Sequence, residues 1–198
     1  MVELATYMGR KVALIIIDMQ NDFISEGGAI KCIGSERIVP LIHDLKQLAK
    51  KKGIPVITTQ EQHRKSGIDM GRERDNQIHE HCMEGSWGEK MIPGMEPEDS
   101  DYHIIKRRYS AFMGTELEII LKGMGTETLI ITGVATDACV GATCMDAQQL
   151  DYKVVVPKEC AASTSLDQHE AFLKHIGRIL GRVVPLEELQ RLLNQIDV

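Results

Sequence analysis

The feature that most constrains this chain is Val12–Ile17, six consecutive apolar residues closed directly by Asp18. A run that short and unbroken offers no polar face to water, so it reads as a strand buried on both sides of a sheet. Such a strand needs covering layers, and the rest of the chain supplies them in alternation. Residues 36–52 place Ile38, Leu41, Ile42, Leu45, Leu48 and Ala49 at helical spacing, with Gly53 positioned to end the helix. Further strands are predicted at Ile54–Thr58, 102–106, Thr128–Thr132 and Lys153–Val156, with a last edge at Val183–Val184. Helices are predicted between them, at Gly114–Lys122, from Asp137 to about Leu150, over 167–180, and after Pro185. The alternation predicts an α/β fold: a three-layer α/β/α, Rossmann-like domain over residues 1–198, with a parallel sheet of about six strands. Residues from about 60 to 99 depart from it. They are polar, carry His63, His79 and His81, and have little periodicity. A loop that long in a compact domain is usually functional or disordered, and a long excursion over the rim of the sheet is expected.

Charge and cysteine usage narrow the function. The formal net charge of −6 argues against nucleic acid or an anionic membrane as partner. The start, MVELATYMGRK, lacks an apolar stretch before a cleavage site, and no run approaches the ~20 residues of a membrane span. The five cysteines are odd in number and form no Cys-x-x-Cys pair, which argues against a disulfide framework or a four-cysteine zinc site. A cytoplasmic location is expected. The run Lys50, Lys51, Lys52 reads as a solvated helix end that suits the helix dipole.

In an open parallel sheet, ligands bind beyond the carboxyl ends of the strands. Asp18, Lys106 and Cys139 stand at three such positions. Cys139 follows the Gly133-Val134-Ala135-Thr136 turn, in the first turn of a helix, where unpaired N–H groups favour a thiolate and can hold an oxyanion. Asp18 can accept the thiol proton, and Lys106 can hold Asp18 ionised while supporting charge on the sulfur. Read from position alone, Cys139 is equally an inert cysteine at a helix start, Asp18 equally a turn cap beside Asn21 and Asp22, and Lys106 equally part of a charged surface turn with Arg107 and Arg108. The first strand runs into DMQNDF, not a Gly-x-Gly-x-x-Gly turn, so a dinucleotide site is not expected.

Three segments in order, LIIIDMQNDF at Leu14–Phe23, KRRYSAF at Lys106–Phe112 and ITGVATDACVGATCMDA at Ile131–Ala147, resemble the isochorismatase-like cysteine hydrolase superfamily. That group includes nicotinamidases, N-carbamoylsarcosine amidases, biuret hydrolases and ureidoacrylate amidohydrolases. The resemblance implies Asp18, Lys106 and Cys139 as the catalytic trio, with a cis peptide at Val134–Ala135 that turns the Ala135 N–H toward an oxyanion hole shared with the Cys139 N–H. It implies cysteine-dependent cleavage of a small amide, ureido or carbamoyl C–N bond through a thioester, by a homodimer or homotetramer. The alternatives are a nicotinamidase, an isochorismatase-type vinyl-ether hydrolase, and a non-catalytic binding protein on the same fold. Nicotinamidases carry an Asp-x-His and a later His-Cys that hold a metal; here the stretch reads Glu61, Gln62, His63 and then His81-Cys82, with Arg64 after the first histidine. Neither metal nor cofactor is expected to be needed. The expected pocket residues are Phe23, Glu61, His63, Arg64, His81, Trp87, Tyr109 and Phe112, and Arg64 would favour an acidic substrate.

Overall fold

The computed structural model describes residues 3–76 and 80–195, so His79 lies outside the described residues. The elements are α1 Leu4–Tyr7, β1 Val12–Ile17, α2 Asn21–Ile24, α3 Ser35–Lys51, β2 Val56–Glu61, β3 Tyr102–Lys106 and α4 Leu117–Met124. They continue as β4 Thr128–Val134, α5 Cys139–Gln149, β5 Lys153–Pro157, β6 Ala161–Ala162, α6 Leu166–His175, β7 Arg182–Val184 and α7 Leu186–Gln195. The strand order is β3-β2-β1-β4-β5-β7, with the two-residue β6 paired to β4. Every pairing between these strands is parallel.

The period of two along β1 divides the core. Leu14 and Ile16 pack on one face with Ile38, Ile42 and Leu45 of α3 and Leu189 and Leu193 of α7. Ala13, Ile15 and Ile17 pack on the other with Leu117 and Leu121 of α4, Val140, Cys144 and Ala147 of α5, and Leu173 of α6. Each fully buried large aliphatic chain contributes roughly 1.5–3 kcal/mol, so two continuous apolar faces hold the sheet between helix layers. Among the described residues, no helix is long and apolar enough to cross a membrane.

Several boundaries differ from expectation. β2 begins at Val56 and runs to Glu61, because the polar Gln60 and Glu61 continue the ladder opposite Ile105 and Lys106. The rim excursion therefore starts at Gln62. α4 begins at Leu117, since the Thr115 hydroxyl accepts from the Leu117 N–H and so caps the turn before it. The stretch after His175 widens into a π-helical turn, Ile176–Leu180. Two residues are too few to show a strand period, which is why β6 carried no sequence signal.

The excursion is fastened at both ends. Gln20 accepts from the Glu61 N–H at 2.7 Å and donates to the carbonyls of Glu61 and Glu89 at 2.8 and 2.7 Å. Asn21 donates to the Trp87 carbonyl, and the Asp22 carboxylate accepts from the N–H groups of Ala29 and Cys82. Gly88 passes so close to Asp22 that a Cβ there would lie 2.0 Å from a carboxylate oxygen. At the far end Lys46 and Lys50 reach Asp101 at 3.0 and 2.7 Å. Lys50 is thus an anchor for the return into β3 as well as a dipole-facing helix end.

Candidate active site

The parallel register brings the expected trio to one rim. Ile17 pairs with Gly133, so β1 and β4 end side by side, and Glu61 pairs with Lys106, so β2 and β3 end together about two residues further on. Gly133 permits a close approach: a Cβ there would lie 2.1 Å from the Ile17 carbonyl oxygen. Asp18, the next residue after β1, adopts a left-handed backbone with φ 52°, a conformation aspartate tolerates better than most residues. Its N–H donates to the Thr59 hydroxyl, and that hydroxyl donates back to Oδ1 at 2.6 Å. Thr59 therefore fixes the carboxylate; nothing in the sequence singled it out from its strand neighbours.

Lys106 is fully buried at the centre of the group. Its Nζ lies 2.8 Å from Asp18 Oδ2, 2.9 Å from Glu61 Oε2, 2.9 Å from the Arg108 carbonyl and 3.2 Å from Cys139 Sγ. The Cys139 sulfur also lies 3.4 Å from Glu61 Oε2. The Val134–Ala135 bond is cis. The Val140 and Ala138 N–H groups donate to the Ala135 carbonyl, and Thr136 donates to Ala162. Among the described residues, the N–H groups of Ala135 and Cys139 have no carbonyl partner in that turn.

Burial and charge set the resting protonation. Burial pushes the Asp18 carboxyl up, and Glu61 adds to this against the pull of Lys106. Burial also raises Glu61, but Lys106, His63 and His81 outweigh it and hold this carboxyl well below the usual range. Lys106 is held well above the ordinary lysine value: desolvation opposes its charge, and Asp18, Cys139 and Glu61 overcome it. Burial drives the Cys139 thiol well up; Lys106 pulls it down, and Glu61 and Asp18 add to the rise. The helix start therefore does not leave a resting thiolate; the sulfur waits as a thiol beside an acceptor.

Cys139 opens on a cavity of about 170 Å³ whose walls include Phe23, Glu61, His81, Tyr109 and Ala135. Glu73, Cys32 and Asp137 also line it and were not expected. Glu73 comes from the 3-10 turn Gly71–Asn76, where a polar loop gives no periodic cue. Four expected pocket residues lie elsewhere. His63 is buried behind Glu61, whose Oε1 lies 3.1 Å from its Nε2. Arg64 is exposed, with its N–H turned to Asp69. Trp87 is exposed and contributes its carbonyl to the excursion's anchor. Phe112 stacks on Tyr152, in the helix-layer core. The neighbouring arginines also turn away: Arg74 pairs with Glu80, and Arg107 with Asp69. The acidic side chains Glu61, Glu73 and Asp137 line the cavity together with His81, and Arg64, on which the expectation of an acidic substrate rested, is not among its walls.

Glu61, His63, Glu73 and His81 converge, each offering one donor atom within 4.8 Å of the others. Glu61 Oε1 is 3.1 Å from His63 Nε2 and 3.3 Å from His81 Nε2, and Glu73 Oε2 is 3.6 Å from His81 Nε2. Tetrahedral arms of ~2.0–2.1 Å place donors roughly 3.3–3.4 Å apart, so the set fits a divalent cation such as zinc. Glu73 Oε2 is buried and makes no hydrogen bond, as a donor kept for a cation would be. Glu73 was not expected in this set, because it lies in an unpatterned loop.

The Isochorismatase domain family matches residues 12–188. The chain belongs to the isochorismatase family. It is a hydrolase, with a buried cysteine among charged groups suited to carbon–nitrogen bonds. A probable inactive nicotinamidase of Arabidopsis thaliana is 37% identical, over 85% of this chain and 90% of its own. The ureidoacrylate amidohydrolase of Yersinia enterocolitica is 29% identical, over 88% of this chain and 86% of its own. The pyrazinamidase of Pyrococcus horikoshii, solved in complex with zinc, superposes with a TM-score of 0.81 at 29% identity, covering 88% of this chain and 99% of its own.

Proposed function

We propose that this family member hydrolyses a small, uncharged amide, carboxamide or carbamoyl compound through a thioester on Cys139. The observation that carries this is the contact of the Cys139 sulfur with Lys106, 3.2 Å away, at the wall of a cavity sized for a small molecule. Asp18 takes the thiol proton as sulfur attacks the carbonyl carbon, and the C=O electron pair moves to oxygen. The N–H groups of Ala135 and Cys139 hold that oxyanion. Collapse expels ammonia or an amine, which receives the proton from Asp18. Water then attacks the thioester with Asp18 again as base, returning the acid product and the thiol. Lys106 keeps the growing negative charge on sulfur and on Asp18 compensated throughout.

A nicotinamidase-like reading is the second, favoured by the four-donor cluster beside the cavity. Glu61, His63, Glu73 and His81 would hold the cation, which when bound supplies a Lewis acid for orienting a substrate heteroatom. Vinyl-ether hydrolysis gives the buried cysteine no role. The same proposal takes the protein as a cytoplasmic homodimer or homotetramer, whose mass light scattering would read.

The test combines labelling and turnover. Iodoacetamide should modify Cys139 first and abolish ammonia release from a panel of neutral amides, and Cys139→Ala should be folded and inactive. Because the thiol's pKa is raised, the labelling rate of free enzyme should keep climbing into the alkaline range instead of levelling near neutrality. Full turnover by Cys139→Ala would sink the proposal.

A further inference from the structure

We propose that Glu61 is a positioning residue for the nucleophile: one carboxylate that holds Lys106 against Cys139 with Oε2 while His63 and His81 hold its Oε1. The inference rests on the reading of Cys139 as nucleophile. The expected trio accounts for Asp18, Lys106 and Cys139, and gives Glu61 no part in the chemistry.

The geometry assigns Glu61 that part. Nζ of Lys106 has three protons and four close neighbours, of which Asp18 and Glu61, at 2.8 and 2.9 Å, are the two charged ones. They lie on different strand ends, so together they fix the ammonium where a single carboxylate would let it pivot. The Arg108 carbonyl, at 2.9 Å, gives a third direction, and the sulfur sits at 3.2 Å from the ammonium so fixed. Glu61 and Lys106 are register partners at the ends of adjacent parallel strands, so the sheet itself sets their reach. The other oxygen faces the two imidazole nitrogens at 3.1 and 3.3 Å, which prevents the carboxylate from rotating. Reaching both groups takes the full length of glutamate. An aspartate on the same Cα would fall short by about one bond, roughly 1.5 Å, and would give up one contact or the other.

A residue that acts only by placing Lys106 should alter the chemical step and not substrate affinity. Glu61→Gln keeps the volume and the reach and removes the charge that orders Lys106. It should lower kcat about 100-fold, the cost of a misplacement of about 1 Å, with KM changed less than about threefold. Glu61→Asp should be impaired as well, although it keeps the charge. The deciding measurement is a double-mutant cycle with Lys106→Ala, read as the rate of Cys139 alkylation by iodoacetamide, which needs no turnover. If Glu61 acts through Lys106, Glu61→Gln slows alkylation in the parent but not in the Lys106→Ala background, where loss of the carboxylate 3.4 Å from the sulfur leaves the rate unchanged or raises it. Equal slowing in both backgrounds, or an effect confined to KM, would overturn the proposal. A parent-like melting transition for Glu61→Gln excludes loss of fold as the cause. Alkylation that maps to a cysteine other than Cys139 in the parent protein would instead defeat the nucleophile assignment, so the two failures are distinct.

Discussion

Asp18, Lys106 and Cys139 stand at strand ends or one turn past them, whereas Glu73, His81 and Tyr109 reach the same cavity from loops. The first group is held by backbone ladders: the ends of β1 and β4 are level because Ile17 pairs with Gly133, and those of β2 and β3 because Glu61 pairs with Lys106. The excursion that carries Glu73 and His81 is held by side-chain contacts, chiefly Gln20, Asn21 and Asp22 gripping its backbone at one end and Lys46 and Lys50 pairing with the Asp101 carboxylate at the other. A ladder distributes its strain over many bonds. A few side-chain clamps do not, so damage to the wall should be local, graded and felt in binding before chemistry.

The largest effect should come from the ladder-held floor. Asp18→Asn keeps the shape and the Thr59 contact but cannot accept the thiol proton, so the acylation rate should fall by roughly 10²–10⁴ with the melting temperature little changed. Stopped-flow measurement of the ammonia burst checks this, and an acylation rate within a few fold of the parent would take the base role from Asp18. A smaller, different effect is expected at the clamp. Asp22→Ala removes two charge-assisted hydrogen bonds, to the Ala29 and Cys82 N–H groups, and should cost about 2–4 kcal/mol in denaturant unfolding. Its KM should rise more than its kcat falls, because Cys82 adjoins His81 in the cavity wall. Unchanged stability would mean that the excursion is held by other contacts. The smallest effect should be at Arg64, which is exposed and is not a wall residue of the cavity. Arg64→Ala should leave KM for neutral and acidic amides within about twofold; a selective rise for acidic ones would return this arginine to the substrate.

Much of this was legible in the sequence because it rests on short-range pattern. The unbroken Val12–Ile17 run announces a doubly covered strand, and the helical stripe at Ile38, Ile42 and Leu45 announces one of its covers. Both patterns repeat within a few residues, so neither needs knowledge of the fold. Arg64, Trp87 and Phe112 show where that stops: residue type suggested a pocket, but a side chain in an aperiodic loop points wherever its anchors send it. Thr59 and Glu73 were missed for the converse reason. A threonine in a strand and a glutamate in a polar loop look ordinary until another segment is set against them.

The sequence by itself determined the alternating layers, the parallel sheet, and the strand-end positions of Asp18, Lys106 and Cys139, since these follow from periodicity and from where an apolar run stops. Only the tertiary structure decided that Glu61 touches both Lys106 and the His63–His81 pair, that Glu73 joins them, and that the cavity's charged lining is acidic. Those contacts join β2 to an excursion with no repeat of its own. Their geometry depends on strand register and on side-chain clamps far apart in sequence, and on the one extra methylene that lets a glutamate span the gap.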